Sequence, residues 1–320
     1  MTRIAALLAL ALTLCITSSS AFIRHSQAGL GCADQADRVA CLASSRQSTG
    51  ASATLNRDPI TRIPGIEPPA GVRIARLAHR ISAVVVGLLA GAIALVGWSS
   101  LRGSERAAAA IGLLVTAALA WLGRFTPHDL PLVTLGNVLG GFALAAAYAW
   151  ILAPGGRAAQ PVAALRLFGL LAVALLLATV QAALGVMISV RHVVDACASW
   201  MCWPDLPVDW RVFDPLVARA PDSQPSAHAL HLAHRTSALA LVTVGALATI
   251  RARGVAPGGL RTAIGALLLL QVLVGAALAA GLSPLFAATA HNTIAAALIA
   301  ALAAAAGSAL KSRSTDIGAG

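Results

Sequence analysis

Charge is scarce in this chain. Only 11% of its 320 residues are Asp, Glu, Lys or Arg, against roughly a quarter in soluble domains. With 58% hydrophobic content and a mean hydropathy of +0.81, that shortage excludes a soluble globular domain. Acidic residues are scarcer still, 12 against 23 Lys and Arg, for a net charge of +11 carried almost wholly by arginine. A basic chain is often a nucleic-acid binder. Here the arginines sit at the ends of apolar runs and in the links between them rather than in one block, so lipid headgroups account for them better. Also missing are a glycine-rich phosphate loop, a nucleotide motif and a serine–histidine–acid arrangement.

What is present is a succession of apolar runs near 4–22, 74–98, 107–123, 130–153, 165–190, 228–250, 262–281 and 285–307. Each is long enough to approach or cross roughly 30 Å of hydrocarbon as a helix, the form that satisfies its own backbone hydrogen bonds there. The first run, from Met1-Thr2-Arg3 to Ser18-Ser19-Ser20-Ala21, also has the make-up of a cleaved signal peptide. A full-length run in the matching place of the second half favours a true span. Arginines in the short links (Arg102 and Arg106, Arg157 and Arg166, Arg251, Arg253 and Arg261) and Lys311 and Arg313 after the last run all fall on one side, predicting cytoplasmic termini. The segments 23–73 and 191–227 then lie outside, as Pro- and Asp-containing irregular caps. Each carries a cysteine pair, Cys32 with Cys41 and Cys197 with Cys202. Two such pairs read as disulfides in an oxidising compartment, with free or metal-binding thiols as the alternative.

Placing residue n against n+155 reveals an internal repeat. Leu77-Ala78-His79-Arg80 meets Leu232-Ala233-His234-Arg235, Ser82-Ala83 meets Ser237-Ala238, Arg106 meets Arg261 and Asn137 meets Asn292. The chain thus divides into an N-terminal four-helix half, 1–153, and a C-terminal half, 154–320. The expected fold is an all-α membrane protein of eight transmembrane helices in two duplicated four-helix bundles, with a pseudo-twofold axis along the membrane normal. An ionisable side chain within a span calls for a functional reason. His234 and His291 each lie about six residues inside the outer end of their spans, roughly 9 Å deep at the helical rise. Two neutral imidazoles at equal depth in one helical bundle suit the two faces of a haem iron. The propionates would point outward, where Arg235 and loop arginines offer charge-assisted bonds. A helix-to-helix polar contact is the plainer alternative. His228 and His231 share the helical face of His234, His231 as a ligand-orienting candidate and His228 as an interfacial residue. His25 and His192, each after an arginine, read as interfacial anchors. In the first half the position matching His291 is Gly136, which leaves space for a substrate ring or a water. His128 is the nearest replacement ligand, eight residues earlier and about 12 Å away along a helix.

These residues resemble the membrane-bound haem A synthases of cytochrome oxidase assembly. The likeness is carried by Gly29-Leu30-Gly31-Cys32, by Gln181-Ala182-Ala183-Leu184-Gly185 with Cys197 through Cys202 and Trp203-Pro204, by His231-Leu232-Ala233-His234-Arg235, and by His291-Asn292. It covers nearly the whole chain and is strongest in the second half. The resemblance implies an oxidoreductase of the bacterial inner membrane that converts a ring methyl of haem O to the formyl of haem A. Haem b would sit between His234 and His291, the substrate haem would bind in the first half on His79, and Cys32 and Cys41 would handle haem. Implied partners are haem, haem O synthase, cytochrome oxidase assembly factors and the lipid bilayer, with a homo-oligomer as a further possibility and no nucleic acid. Two departures fall in the first half. Arg76 stands where the family has a glutamate, and Gly136 where it has a histidine. The alternatives are a non-catalytic haem b protein serving electron transfer or oxidase assembly, and a transporter built on the duplication.

Overall fold

A computed structural model describes residues 1–27, 70–125, 130–155, 161–194, 196–197, 202–218, 223–253 and 255–317. Eight long helices account for nearly all of them: α1 (Thr2–Gln27), α2 (Ala70–Leu95), α3 (Gly103–Phe125), α4 (Pro131–Leu152), α5 (Pro161–Val190), α6 (Gln224–Arg251), α7 (Gly258–Ala279) and α8 (Pro284–Ile317). No strand occurs among the described residues. All eight helices contain stretches long and apolar enough to cross a membrane. Alanine and leucine favour the helix, and proline stands where its missing N–H costs nothing: Pro131, Pro161 and Pro284 open α4, α5 and α8, and Pro225 lies in the first turn of α6. Most helices outrun their apolar runs, α8 most of all, while α4 falls one residue short at each end. Helix termination depends on backbone geometry and capping, not on where hydropathy falls.

Neighbour relations repeat from half to half. In the first half α1 packs on α2, α2 on α3, α3 on α4, and α4 back on α1. In the second, α5 packs on α6, α6 on α7, α7 on α8, and α8 back on α5. Each half is therefore a closed ring of four, in which α2 and α4, or α6 and α8, occupy diagonal corners. The halves join chiefly through α4 against α8, flanked by α1 on α8 and α4 on α5. At that seam Ala145 and Ala149 of α4 meet Ala300 of α8, small residues that let backbones approach closely without an aqueous hydrophobic drive.

Each end of the bundle has its own fastening. At the end holding both termini, Glu105 is 2% exposed and bridges Arg3 (2.6 Å) and Lys311 (2.7 Å), while its other oxygen accepts the Arg102 backbone N–H at 3.2 Å. The N-terminus, the α2–α3 link and the end of α8 thus share one face of the bundle, as the span count requires. At the opposite, loop end, the second long segment is more ordered than an irregular cap. It contains a 3-10 turn at Trp210–Phe213 and a small core of Met187, Ile188, Val212 and Leu230. Arg191 organises it by donating to the carbonyls of Asp214 (2.6 Å), Val217 (2.7 Å), Val212, Ala218 and Arg211 (3.4 Å each). Burial pushes its guanidinium pKa down, opposed in part by Asp214. Cys197 and Cys202 form the expected disulfide, with Cα atoms 5.9 Å apart. Cys32, Cys41 and His128 lie outside the described residues.

Candidate functional site

The second-half ring places His234 on α6 and His291 on α8, its diagonal corners. Their side chains face each other across the interior, ring centres 6.5 Å apart and planes inclined by 57°. The Nδ1 atom of each is buried without a hydrogen-bond partner. Two imidazoles on one metal at about 2.0 Å per bond hold their ring centres roughly 6 Å apart once the ring radii are added. The donor set and its spacing therefore fit an iron gripped from both faces, and the orphaned nitrogens are what such a pair presents before a metal or a second-shell acceptor engages them.

The two intervening helices each bring a glutamine and a glycine up to one of the rings. On α5, Gln181 Nε2 lies 3.1 Å from His234 Nε2, and the Gln181 side-chain oxygen accepts a short hydrogen bond from Ser237, whose hydroxyl also reaches the His234 carbonyl at 3.0 Å. One turn on, Gly185 sits against the His234 ring, where a Cβ would stand 3.2 Å from Cε1. On α7, Gln271 neighbours His291, and a Cβ on Gly275 would stand 3.1 Å from His291 Cε1. Gln181-Ala182-Ala183-Leu184-Gly185 and Gln271-Val272-Leu273-Val274-Gly275 are thus one pattern used twice. The first was visible as part of the resemblance. The second went unread, although a search for glutamine and glycine four apart finds it.

The remaining candidates are spread more widely. His231 is buried, and its Nε2 meets the Val193 carbonyl at 2.7 Å; His228 Nε2 meets the Ala196 carbonyl at 3.0 Å. Both tie α6 to the segment following α5, so His231 shapes the wall above His234. Arg235 lies one residue beyond His234, half-buried. His79 is half-buried on α2 in the other half, with Arg80 beside it. Among the described residues no three His, Cys, Asp or Glu converge as a metal cluster, so His79 stands apart from the paired histidines. Gly136 does not leave open space: a Cβ there would meet Leu122 Cδ2 at 2.9 Å. His25, read from sequence as an interfacial anchor, is instead buried at 6% exposure and within electrostatic reach of His291. It comes from α1, in the other half, and only the packing of α1 on α8 reveals it. Asn292 marks the same junction by donating to the Thr17 carbonyl at 3.2 Å.

Eight apolar helices, with two histidines opposed inside one four-helix ring, define the class as a multi-pass helical membrane protein. The model of the COX15-CtaA family, cytochrome oxidase assembly protein, matches residues 3–303. The chain belongs to this family, the haem A synthase family that its motifs resemble. No curated protein matches it.

Proposed function

We propose that this protein converts a ring methyl of haem O to a formyl group in the bacterial inner membrane, a four-electron oxidation that takes up one oxygen atom from water and delivers its electrons and protons to an external acceptor, with its termini cytoplasmic and its loop end outside. Family membership supports the setting, haem A synthesis for cytochrome oxidase assembly. The observation that carries the reading is the His234–His291 pair, 6.5 Å apart on diagonal helices. Those residues would hold haem b, which when bound supplies one-electron transfer. Gln181 and Ser237 would fix the orientation and tautomer of His234, and the glycines at 185 and 275 let both rings lie close against the neighbouring helices. His79 would hold the substrate haem in the first half, and the two halves would be related by a pseudo-twofold axis along the membrane normal.

A second reading, a non-catalytic haem b protein of oxidase assembly, is favoured by one observation: Leu122 fills the space beside Gly136, where the family has a second first-half histidine. Co-expression with a haem O producer lacking its own haem A synthase separates the two. Extracted haem A supports the enzyme; haem O alone, with a low-spin spectrum intact, supports the binding protein. A colourless preparation refutes both.

A further inference from the structure

Arg24 is a cation with no acid beside it among the described residues. It stands in the last turn of α1. The residue is half-buried, and its guanidinium is turned across the bundle onto α5. Its contacts within the described residues are two neutral groups. Nε donates to Ser189 Oγ on α5 at 3.2 Å, and Nη2 lies 3.5 Å from Nε2 of His25. No carboxylate within the described residues reaches it. A guanidinium carries five donors in a planar fork suited to a carboxylate, and burying that charge without a counter-ion is strongly unfavourable. The negative end of the α1 dipole offsets only a fraction of the cost.

Its position says which anion completes the site. Ser189 follows Gly185, the residue under the His234 ring, by four positions, about 6 Å toward the loop end. His25, the other contact, lies within electrostatic reach of His291. Arg24 therefore crosses from the first half to the seam of α5 and α8, one side of the ring that holds the histidine pair, and sits on its loop side. A porphyrin held by His234 and His291 would turn its carboxylates to the nearer aqueous face, the loop end, and Arg24 stands on that side, beside Ser189 in the last turn of its own helix. We propose that Arg24 binds a propionate carboxylate of the haem held in the second half, so that the first half completes the cofactor site of the second. Ser189 and His25 aim the guanidinium. The inference rests on the ligation reading above.

The test is a cycle between protein and ligand. Full-length protein, produced under haem depletion and held in nanodiscs, is titrated with haem b and with its dimethyl ester, following the low-spin Soret band. Wild type prefers the free acid, and Arg24→Gln lowers that preference about tenfold or more, the worth of one charge-assisted hydrogen bond. Arg24→Lys keeps much of it. Ser189→Ala, which leaves every charge in place, trims it less and serves if Arg24→Gln fails to fold. Arg24→Gln with undiminished preference for the free acid overturns the inference while leaving His234 and His291 as ligands. So does an Arg24→Gln defect seen only in nanodiscs rich in anionic lipid, which would assign Arg24 to a headgroup phosphate. A wild type that gives no low-spin band with either haem overturns the ligation reading and this inference together.

Discussion

An added methyl group at Gly275 or Gly185 tests whether the histidine rings are held by close packing. A Cβ at Gly275 would stand 3.1 Å from Cε1 of His291, and one at Gly185 would stand 3.2 Å from Cε1 of His234. Carbon atoms rest at about 3.5–4.0 Å, so each imidazole must retreat by about 0.4 Å or its helix must shift. Metal–ligand distances tolerate only about 0.2 Å. Overpacking of this kind costs about 1–3 kcal/mol, which corresponds to a loss of roughly 5- to 150-fold in haem affinity. Alanine is meanwhile the better helix former by about 1 kcal/mol, so the fold itself gains or holds steady. Gly275→Ala and Gly185→Ala should therefore weaken the low-spin spectrum and lower the haem-to-protein ratio without lowering the unfolding midpoint of the haem-free protein. Gly91→Ala and Gly169→Ala, where nothing lies within 4 Å of the new Cβ, are the controls and should leave the spectrum unchanged. Full haem content with unaltered spectra in both site variants would refute the argument that these glycines seat the ligands.

Glu105→Gln strips the counter-charge from Arg3 and Lys311 at a side chain 2% exposed and should cost about 3 kcal/mol, read as a lower denaturation midpoint with haem spectra unaffected. Gln181→Leu removes the partner of both His234 and Ser237; haem affinity should fall about 10- to 100-fold, measured by titration. Arg191→Met deprives five carbonyls of their donor and should expose residues 211–218 to protease while the eight helices remain folded by circular dichroism. Gly136→His collides with Leu122 and should add no second low-spin haem, whereas Gly136→His with Leu122→Ala should raise the haem-to-protein ratio toward two.

The eight spans were legible because hydropathy over a helix length is a property of sequence neighbours alone. So were His234 and His291, which stand out as ionisable groups in apolar runs. What escaped the sequence depends on which helices touch. Nothing near Arg24 or His25 in the chain hints at Ser189 or His291, since the Arg24–Ser189 bond and the electrostatic reach of His25 to His291 arise from α1 lying beside α8 and reaching over to α5. Glu105 reads as an ordinary helix-start acid until the ends of α1 and α8 close on it. The backbone carbonyls that meet His228 and His231 are likewise anonymous in sequence.

The glycine at position 136 illustrates why a single aligned site misleads. Read alone, the exchange of His291 for Gly136 looks like a space opened in the first half. The same offset of 155 matches Leu122 with Ala277, Gly140 with Ala295 and Leu119 with Val274. Beside Gly136 lies Leu122, and beside Gly140 lies Leu119. Bulk that the second half carries on its last helix is carried in the first half by the helix before it. Interiors keep their density, and swaps that conserve volume are the ones tolerated. The first half is therefore a repacked bundle, not a depleted copy of the second. At the position matching His291 it presents Leu122 packed over a glycine in place of a second imidazole. A haem bound there would have one axial ligand from these two positions, while the second half offers two. That asymmetry sets this chain apart from family members with a histidine at the position of Gly136, and whether turnover survives the lost ligand is what the haem A extraction after co-expression reads out.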